Sequence, residues 1–380
     1  MDFELTDGQR DRCAELTASV RERLGDTPPS TPDTEHTRRR WRVAGELGLT
    51  GLCLPGEYGG GGLGALDTAL CLEAFGRACP DTGLAFGVAA HLLACCVAIR
   101  DFATESTAAR LLPGLAKGEL IAANAITEDG AGSDVGALAM KGTATADGYR
   151  LSGEKSFSSN APVADVFVVY AVTDPSDGFL GTTGFVVPRE TAGLTVGPAM
   201  AKLGLHGCPA GRVGLDDAEV PQCHVLGEPG QGALIFQHSM GWERACLFAL
   251  YLGLMEEQLH RCVTHARRRR QFGRPIGEFQ AVSHPLAEMR QRIDGARLLL
   301  YRACWLMDQG RADVAATSMA KLAVSEAAVA NSVAAMQLFA GSGYLVGTGI
   351  EAQLRDCLPS TVFSGTSEVH RNIVARGMGL

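Results

Sequence analysis

The sequence lacks the residue patterns that hold metal ions and nucleoside triphosphates in proteins. Its nine histidines show no metal-ligand spacing, and none of its twelve cysteines forms a CxxC pair. Neither a Walker loop nor an HExxH motif is present. These absences predict that the protein has no metal site and no Walker-type nucleotide site.

The cysteines also lack the regular spacing of a disulfide framework, and Cys95 and Cys96 are adjacent. Reduced thiols in a cytoplasm fit this pattern better than disulfide bonds do. No signal peptide opens the chain. We therefore expect a soluble, cytoplasmic protein.

Excess positive charge and long hydrophobic runs are lacking as well. The 34 basic and 42 acidic residues give a formal net charge of -8, which argues against nucleic acid or an anionic membrane as a general partner. The longest apolar run, residues 82–99, contains His91 and two glycines and barely reaches the length that spans a membrane. We interpret this run as a buried helix.

One glycine-rich stretch, Gly59–Gly64, satisfies the GxGxxG pattern of dinucleotide-binding proteins. That fingerprint requires a preceding strand and a surrounding βαβ unit, and neither is predicted here. We interpret the stretch as a surface loop, where glycine is common.

Apolar periodicity divides the chain into three parts. Residues 1–118 repeat as helices do, residues 119–226 consist of short β-rich runs between turns, and residues 227–380 are helical again. Residues 26–36 carry three prolines and are predicted to connect two helices. The sequence therefore predicts a multidomain α+β protein with these three domains.

Within these domains the periodicity predicts individual elements. The predicted helices span residues 5–24, 40–49, 66–78, 82–102, 107–115, 232–270, 281–309, 313–340 and 351–357. The predicted strands span residues 120–127, 142–146, 149–152, 166–172 and 183–187.

A charged pair interrupts the most apolar helical run of the C-terminal part. Glu243 and Arg244 lie within residues 240–255, whose other side chains are almost all apolar. A carboxylate in such surroundings is costly unless it is paired or used. Because adjacent helical residues do not face each other, mutual neutralisation is disfavoured. Glu243 is therefore a candidate for proton transfer, with a structural ion pair as the alternative.

Five short motifs follow one another along the chain. The first motif is a turn of small residues rich in backbone donors, and the second places an aromatic ring beside hydroxyls. The five motifs are Ala125–Asp134, Lys155–Asn160, Arg269–Ile276, Gln337–Tyr344 and Phe363–Arg371. In this order and spacing they resemble the acyl-CoA dehydrogenase flavoprotein family over nearly the whole chain. The resemblance implies an N-terminal α-helical domain, a middle β-barrel-like domain, a C-terminal four-helix bundle and FAD as cofactor.

The resemblance also assigns residues to the cofactor. Positions that match FAD contacts within one subunit are Ile126, Thr127, Ser133, Phe157, Ser158, Ser159, Thr366 and Glu368. Positions that match contacts with the FAD of a neighbouring subunit are Arg269, Phe272, Gln337 and Gly341. This second set implies a homodimer or a homotetramer.

The catalytic base departs from the commonest family pattern. Many relatives carry a glutamate directly before the Gly-Thr of the last motif, where this chain has Ser364, and a serine hydroxyl is too weak a base. A minority, including isovaleryl-CoA dehydrogenases, carries the carboxylate on the helix that leads the C-terminal domain, directly before an arginine, as in Glu243-Arg244. The resemblance thus implies a catalytic group of Glu243, Arg244 and Ser364, in which Glu243 is the base and the Ser364 backbone N–H is a donor to the enolate oxygen. Because many relatives with the usual base also carry this Glu-Arg pair, the structural reading stays open.

Four further stretches resemble the subgroup that oxidises L-prolyl groups on peptidyl carrier proteins to pyrrole-2-carboxyl units. They are residues 159–168, 208–212, 240–248 and 302–310. This resemblance implies a carrier protein bearing a phosphopantetheine thioester as partner, with a CoA thioester as the alternative. A short branched-chain acyl-CoA dehydrogenase and an inactive flavin-binding subunit remain alternative functions.

Overall fold

The computed structural model describes residues 4–26 and 33–380. The middle of the predicted connection, residues 27–32, therefore lies outside the described residues. The end of that connection is helical. The Asp33 side chain accepts a hydrogen bond from the His36 amide and caps helix α2 (Thr34–Glu46), so the predicted start of this helix at Arg40 is wrong.

Helices form the N-terminal part of the described chain, as predicted. They are α1 (Asp7–Leu24), α2, α3 (Ala65–Ala78), α4 (Thr82–Ala90), α5 (Val97–Phe102) and α6 (Glu105–Ala116). A π-helical segment, His91–Cys96, joins α4 to α5 into one continuous helix. This helix spans Thr82–Phe102, and 94% of its most apolar stretch of 18 residues is buried in the fold. This burial confirms the prediction of a buried helix.

In the described chain, eight strands form one sheet in the middle part. Their order is β6-β7-β3-β2-β4-β5-β8, with β1 beside β4. The strands are β1 (Ala122–Ala125), β2 (Lys141–Ala144), β3 (Gly148–Ser159), β4 (Val166–Val172), β5 (Thr182–Pro188), β6 (Leu194–Val196), β7 (Ala210–Pro221) and β8 (Val225–Leu226).

The sequence missed the strands after β5 and ended β3 too early. Strand β7 pairs antiparallel with β3 from Gly148↔Pro221 to Ser159↔Ala210, with irregular register around Gly153 and between Lys155 and Ser158. Glycines at 211 and 214 interrupt the apolar alternation of β7, which explains why no strand was predicted there. The pairing carries the 155–160 motif to the end of β3.

The C-terminal part is helical, as predicted. Its helices are α7 (Gly232–Trp242), α8 (Ala249–Arg268), α9 (Gln280–Asp308), α10 (Val314–Phe339), α11 (Gly341–Tyr344), α12 (Ile350–Cys357) and α13 (Ser367–Gly377). A second π-helical segment, Glu243–Leu247, joins α7 to α8. A small hairpin of β9 (Arg270–Gln271) and β10 (Arg274–Pro275) follows α8. Helix α10 is also apolar and long enough to cross a membrane, and 39% of its apolar 18-residue stretch is buried in this chain.

The two π-helical segments bring the three parts of the chain together. Segment His91–Cys96 packs against β1, α7 and segment Glu243–Leu247, and the latter also packs against α3, α4 and α10. Helix α13 packs against α10 from the other end of the chain. Glu243, the first residue of the second segment, therefore lies near the junction of all three parts. The boundaries of these parts at residues 118 and 226 stay predictions.

Candidate active site

Glu243 opens the second π-helical segment, and its side chain is almost entirely buried. Single π-helical turns inside α-helices often mark functional sites, because they redirect side chains. The Ser364 hydroxyl donates a hydrogen bond to the Glu243 carboxylate. Burial raises the pKa of Glu243, although the Ser364 hydrogen bond and the charges of Arg244 and Lys321 oppose that rise.

Arg244 does not point at the neighbouring carboxylate. Its Nε donates to the Ser364 carbonyl oxygen at 3.3 Å, and burial lowers its pKa more than the charge of Glu243 raises it. The guanidinium therefore supports the turn that carries Ser364, rather than forming a hydrogen-bonded pair with Glu243. The structure thus brings together the three predicted catalytic residues, Glu243, Arg244 and Ser364.

The turn at Ser364 is held by further donors that the sequence analysis missed. Ser364 and Gly365 both have left-handed backbone, with φ of 57° and 99°. The His370 Nε2 lies 3.1 Å from the Ser364 carbonyl oxygen, and the Lys321 Nζ donates to the Gly365 carbonyl at 2.7 Å. Lys321 is a charged residue in an apolar helix, the signal that identified Glu243, so it could have been found from the sequence.

Aromatic rings surround the same turn. The Phe363 ring lies 4.6 Å from Phe86, 5.6 Å from Phe248 and 6.3 Å from Tyr251, measured between ring centroids. Such a cluster excludes water and leaves an apolar environment beside Ser364. A carboxylate in this environment holds its proton more strongly, which is consistent with the raised pKa of Glu243.

Two buried polar groups lie near Glu243 on the side of the first π-helical segment and β4. Burial raises the pKa of the Cys95 thiol and of the Tyr170 hydroxyl, and the charge of Glu243 adds to both shifts. The Ser239 side chain, beside the Tyr170 hydroxyl, opposes the rise of the Tyr170 pKa. Both groups are therefore neutral neighbours of the carboxylate.

A buried ion pair anchors the loop that carries Ile126 and Thr127. The Lys155 Nζ lies 2.7 Å from the Glu128 carboxylate and donates to the Ile126 carbonyl at 3.1 Å, and the Ser156 amide donates to the Thr127 carbonyl at 2.7 Å. Burial favours a higher pKa for Glu128, but the hydrogen bonds from Lys155 and from two backbone amides hold it below its usual value. The ion pair joins the loop to β3.

The end of β3 exposes an aromatic ring and buries a hydroxyl. Phe157 has φ of 57° and is 61% exposed, whereas the buried Ser158 Oγ has no partner among the described residues. Asn160, also left-handed, donates to the Gly87 carbonyl at 2.9 Å and accepts from the Cys208 thiol. These contacts hold Ser159, the last residue of β3, close to helix α4. Ser133, in contrast, lies on the exposed part of its loop.

The predicted cofactor residues of the last motif lie at the start of α13. The Thr366 hydroxyl caps this helix by accepting from the Val369 amide. Glu368 is exposed, and its carboxylate lies 3.5 Å from Arg371. Thr366 therefore places the positive end of a helix beside the turn at Ser364.

The remaining predicted residues form a second group on the surface of the chain. Stacking of His265 on Phe339, with centroids 4.3 Å apart, brings the C-terminal end of α8 close to that of α10. The four residues near these two ends that were predicted to reach a neighbouring subunit are all exposed, and Phe272 is 93% exposed with φ of 49°. They are Arg269, Phe272, Gln337 and Gly341. No hydrogen bond or ion pair in the described ranges links them to Glu243.

Comparisons with known proteins agree with this architecture. The acyl-CoA dehydrogenase N-terminal, middle and C-terminal domain families match residues 7–119, 123–218 and 230–379. The L-prolyl-(peptidyl-carrier protein) dehydrogenase of Pseudomonas fluorescens is 51% identical over 100% of both chains. That of a Serratia species is 39% identical over 100% of this chain and 99% of its own.

Solved structures are similar over the same length. PigA with FAD and proline matches with a TM-score of 0.94 at 38% identity, over 100% of both chains. The prolyl acyl carrier protein oxidase AnaB matches with a TM-score of 0.94 at 34% identity, over 99% of this chain and 100% of its own. The chain therefore belongs to the acyl-CoA dehydrogenase family.

Proposed function

We propose that this protein binds FAD and oxidises an L-prolyl group, held as a thioester on a peptidyl carrier protein, towards a pyrrole-2-carboxyl group. The relatives named above carry this substrate or FAD in their names, and two of them match the whole length of the chain. The observation that carries the proposal is the buried Glu243 carboxylate, hydrogen-bonded by the Ser364 hydroxyl where many relatives hold their base.

Features of this structure fit a flat flavin ring system. Phe157 and Val362 are large apolar side chains that are 61% and 62% exposed, although their neighbours in the chain are buried or half-buried. The buried Ser158 Oγ is unpartnered in the described chain, and Thr366 begins a helix whose N-terminus favours phosphate. Ile126, Thr127, Phe157 and Thr366 would hold the cofactor by apolar contact and backbone donors.

The chemistry requires a base for the Cα proton and donors for the enolate oxygen. A bound FAD would supply the acceptor for the hydride that leaves Cβ. Glu243 takes the Cα proton on its carboxylate, and the Ser364 backbone N–H, in a turn fixed by Arg244, donates to the thioester oxygen. Because Glu243 must be ionised, its raised pKa predicts that the rate falls as the pH falls through that value.

The carboxylate, Glu243, lies on the continuous helix of α7 and α8, and position 364 therefore carries only a hydroxyl. This arrangement gives more space near Cα than a glutamate there, which suits a ring that is branched at Cα. Two rounds of dehydrogenation convert a prolyl ring to a pyrrole, with the reduced flavin reoxidised after each round by an electron acceptor such as molecular oxygen. The same space would admit the branched acyl group of an isovaleryl-CoA dehydrogenase, a relative at 33% identity from rice, so substrate comparison is the decisive test.

The second group of predicted residues supports assembly. Arg269, Phe272, Gln337 and Gly341 are exposed in the single chain, as expected of residues that reach the FAD of a neighbouring subunit. The apolar helix α10 is also only partly buried in this chain. We propose a homodimer or homotetramer in which these residues complete the partner's cofactor site.

Anaerobic flavin bleaching tests the proposed function. The purified holoprotein is mixed with prolyl-loaded carrier protein, with prolyl-CoA and with isovaleryl-CoA, and the loss of flavin absorbance is followed. We expect the prolyl-carrier to bleach the flavin fastest. Equal or faster bleaching by isovaleryl-CoA would identify a branched-chain acyl-CoA dehydrogenase, and a flavin that no thioester reduces would identify an inactive flavin-binding subunit.

A further inference from the structure

Lys321 is a buried cation without a carboxylate partner. It lies in the first third of α10, its side chain has no exposed surface, and it makes no ion pair with any described residue. Its Nζ donates to the Gly365 carbonyl and lies 5.4 Å from the centre of the Phe248 ring. Burial of an ammonium without a counter-ion is costly, so this position calls for a role.

The strained turn at Ser364 explains where that cation acts. A non-glycine residue in left-handed backbone persists only where its surroundings over-determine it. Here Arg244 and His370 hold the Ser364 carbonyl, and Lys321 holds the next one, at Gly365. With both carbonyls fixed towards buried donors, the Ser364 side chain is directed to Glu243.

Lys321 also contributes to the charge around Glu243. Lys321 and Arg244 are the cations whose charge favours the ionised carboxylate. Burial and the charge of Arg244 lower the pKa of Lys321 to about 8, so the lysine stays protonated in more acidic solution. The other titratable groups that face Glu243 or Lys321 are Cys95 from the first π-helical segment, Tyr170 from β4, Glu326 on α10, and Glu368 and His370 on α13.

We propose that Lys321 is a positioning residue for the reaction, which holds the turn at Ser364 and Gly365 and keeps the Glu243 carboxylate ionised. This inference rests on the proposed function, in which Glu243 is the base. Lys321 acts through the turn and through its charge, without touching the substrate.

The pH dependence of flavin reduction tests this role. The rate constant for anaerobic reduction by saturating prolyl-carrier is measured at pH values up to about 8 for the wild type, Lys321→Met and Lys321→Arg. On the acid side, the rate constant falls as Glu243 is protonated. We expect the inflection of this pH profile to move upwards by roughly one pH unit in Lys321→Met, because a positive charge near Glu243 is lost. Lys321→Arg keeps the charge and should keep the inflection. Lys141→Met, at an exposed lysine on β2, is the matched control and should match the wild type.

A role confined to packing would lower the rate at every pH and leave the inflection in place, and this result would overturn the inference. If Lys321→Met does not fold with FAD, Lys321→Gln replaces it, because glutamine removes the charge and keeps a donor; an unmoved inflection in that variant overturns the inference, and a shift upwards supports it. Glu243→Gln is measured in parallel. If Glu243→Gln reduces its flavin as fast as the wild type, the proposed function fails and this inference fails with it. Loss of the rate there, with no shift in Lys321→Met, overturns this inference alone.

Discussion

Replacing Lys155 by methionine tests the ion pair that anchors the loop of Ile126 and Thr127. Methionine keeps most of the aliphatic length and removes the charge, so Glu128 loses a partner at 2.7 Å and the Ile126 carbonyl loses its donor. Removal of one partner from a buried ion pair costs about 3–5 kcal/mol. Glu128 keeps two backbone amides as donors, so we expect the lower end, about 3 kcal/mol. The loosened loop should also bind FAD more weakly.

Urea denaturation of the holoprotein, followed by tryptophan and flavin fluorescence, measures both effects. The double variant Lys155→Met with Glu128→Gln should recover part of the loss, because no unpaired buried charge remains. Lys141→Met serves again as the exposed control. An unfolding free energy for Lys155→Met within about 0.5 kcal/mol of the wild type, with unchanged FAD affinity, would refute the reasoning.

Two further predictions concern acid stability and assembly. Burial lowers the pKa of His91 to about 4, so stability from its neutral form is complete above the usual pKa of 6.5 and is lost as the pH falls towards 4. The loss reaches roughly 3 kcal/mol. Urea unfolding at pH 6.5 and at pH 4 should therefore show that the unfolding free energy of His91→Gln depends less on pH than that of the wild type. Equal dependence in the two proteins would contradict this. Phe272→Ala should leave the fold of the subunit intact and weaken FAD binding by roughly 10- to 100-fold, because burial of such a ring in a partner's site contributes about 1.5–3 kcal/mol. Fluorescence titration with FAD checks this, and an unchanged affinity argues against a shared site.

The sequence predicted the main features of the fold because its three parts differ in apolar periodicity. Helix α4, the following π-helical segment and α5 form the predicted buried helix, although periodicity does not distinguish a π-helical turn from an α-helical one. Strand β7 was missed because its glycines break the alternation that marks a strand. Helix α2 starts early because the Asp33 cap outweighs the weak apolar pattern of its first turn.

The site shows a similar division between local and long-range signals. Glu243 was identified because a carboxylate departs from its apolar surroundings, and Ser364 because it departs from the pattern of the family that the motifs resemble. The pairing of Lys155 with Glu128, and of Lys321 with the Gly365 carbonyl, joins residues far apart in the chain. Only the fold brings these partners together, so the sequence could place Lys155 in a motif without showing what it holds.

Single-turnover reduction of the flavin by the prolyl-loaded carrier protein in Glu243→Gln shows whether Glu243 removes the Cα proton. Glutamine keeps the shape of the side chain and an acceptor for the Ser364 hydroxyl, but it cannot take the Cα proton. We expect unchanged FAD content and a reduction rate about 10²–10⁴ times lower than that of the wild type. Glu288→Gln, at an exposed glutamate on α9, should retain the wild-type rate. A Glu243→Gln rate within about threefold of the wild type would contradict the assignment of Glu243 as the base.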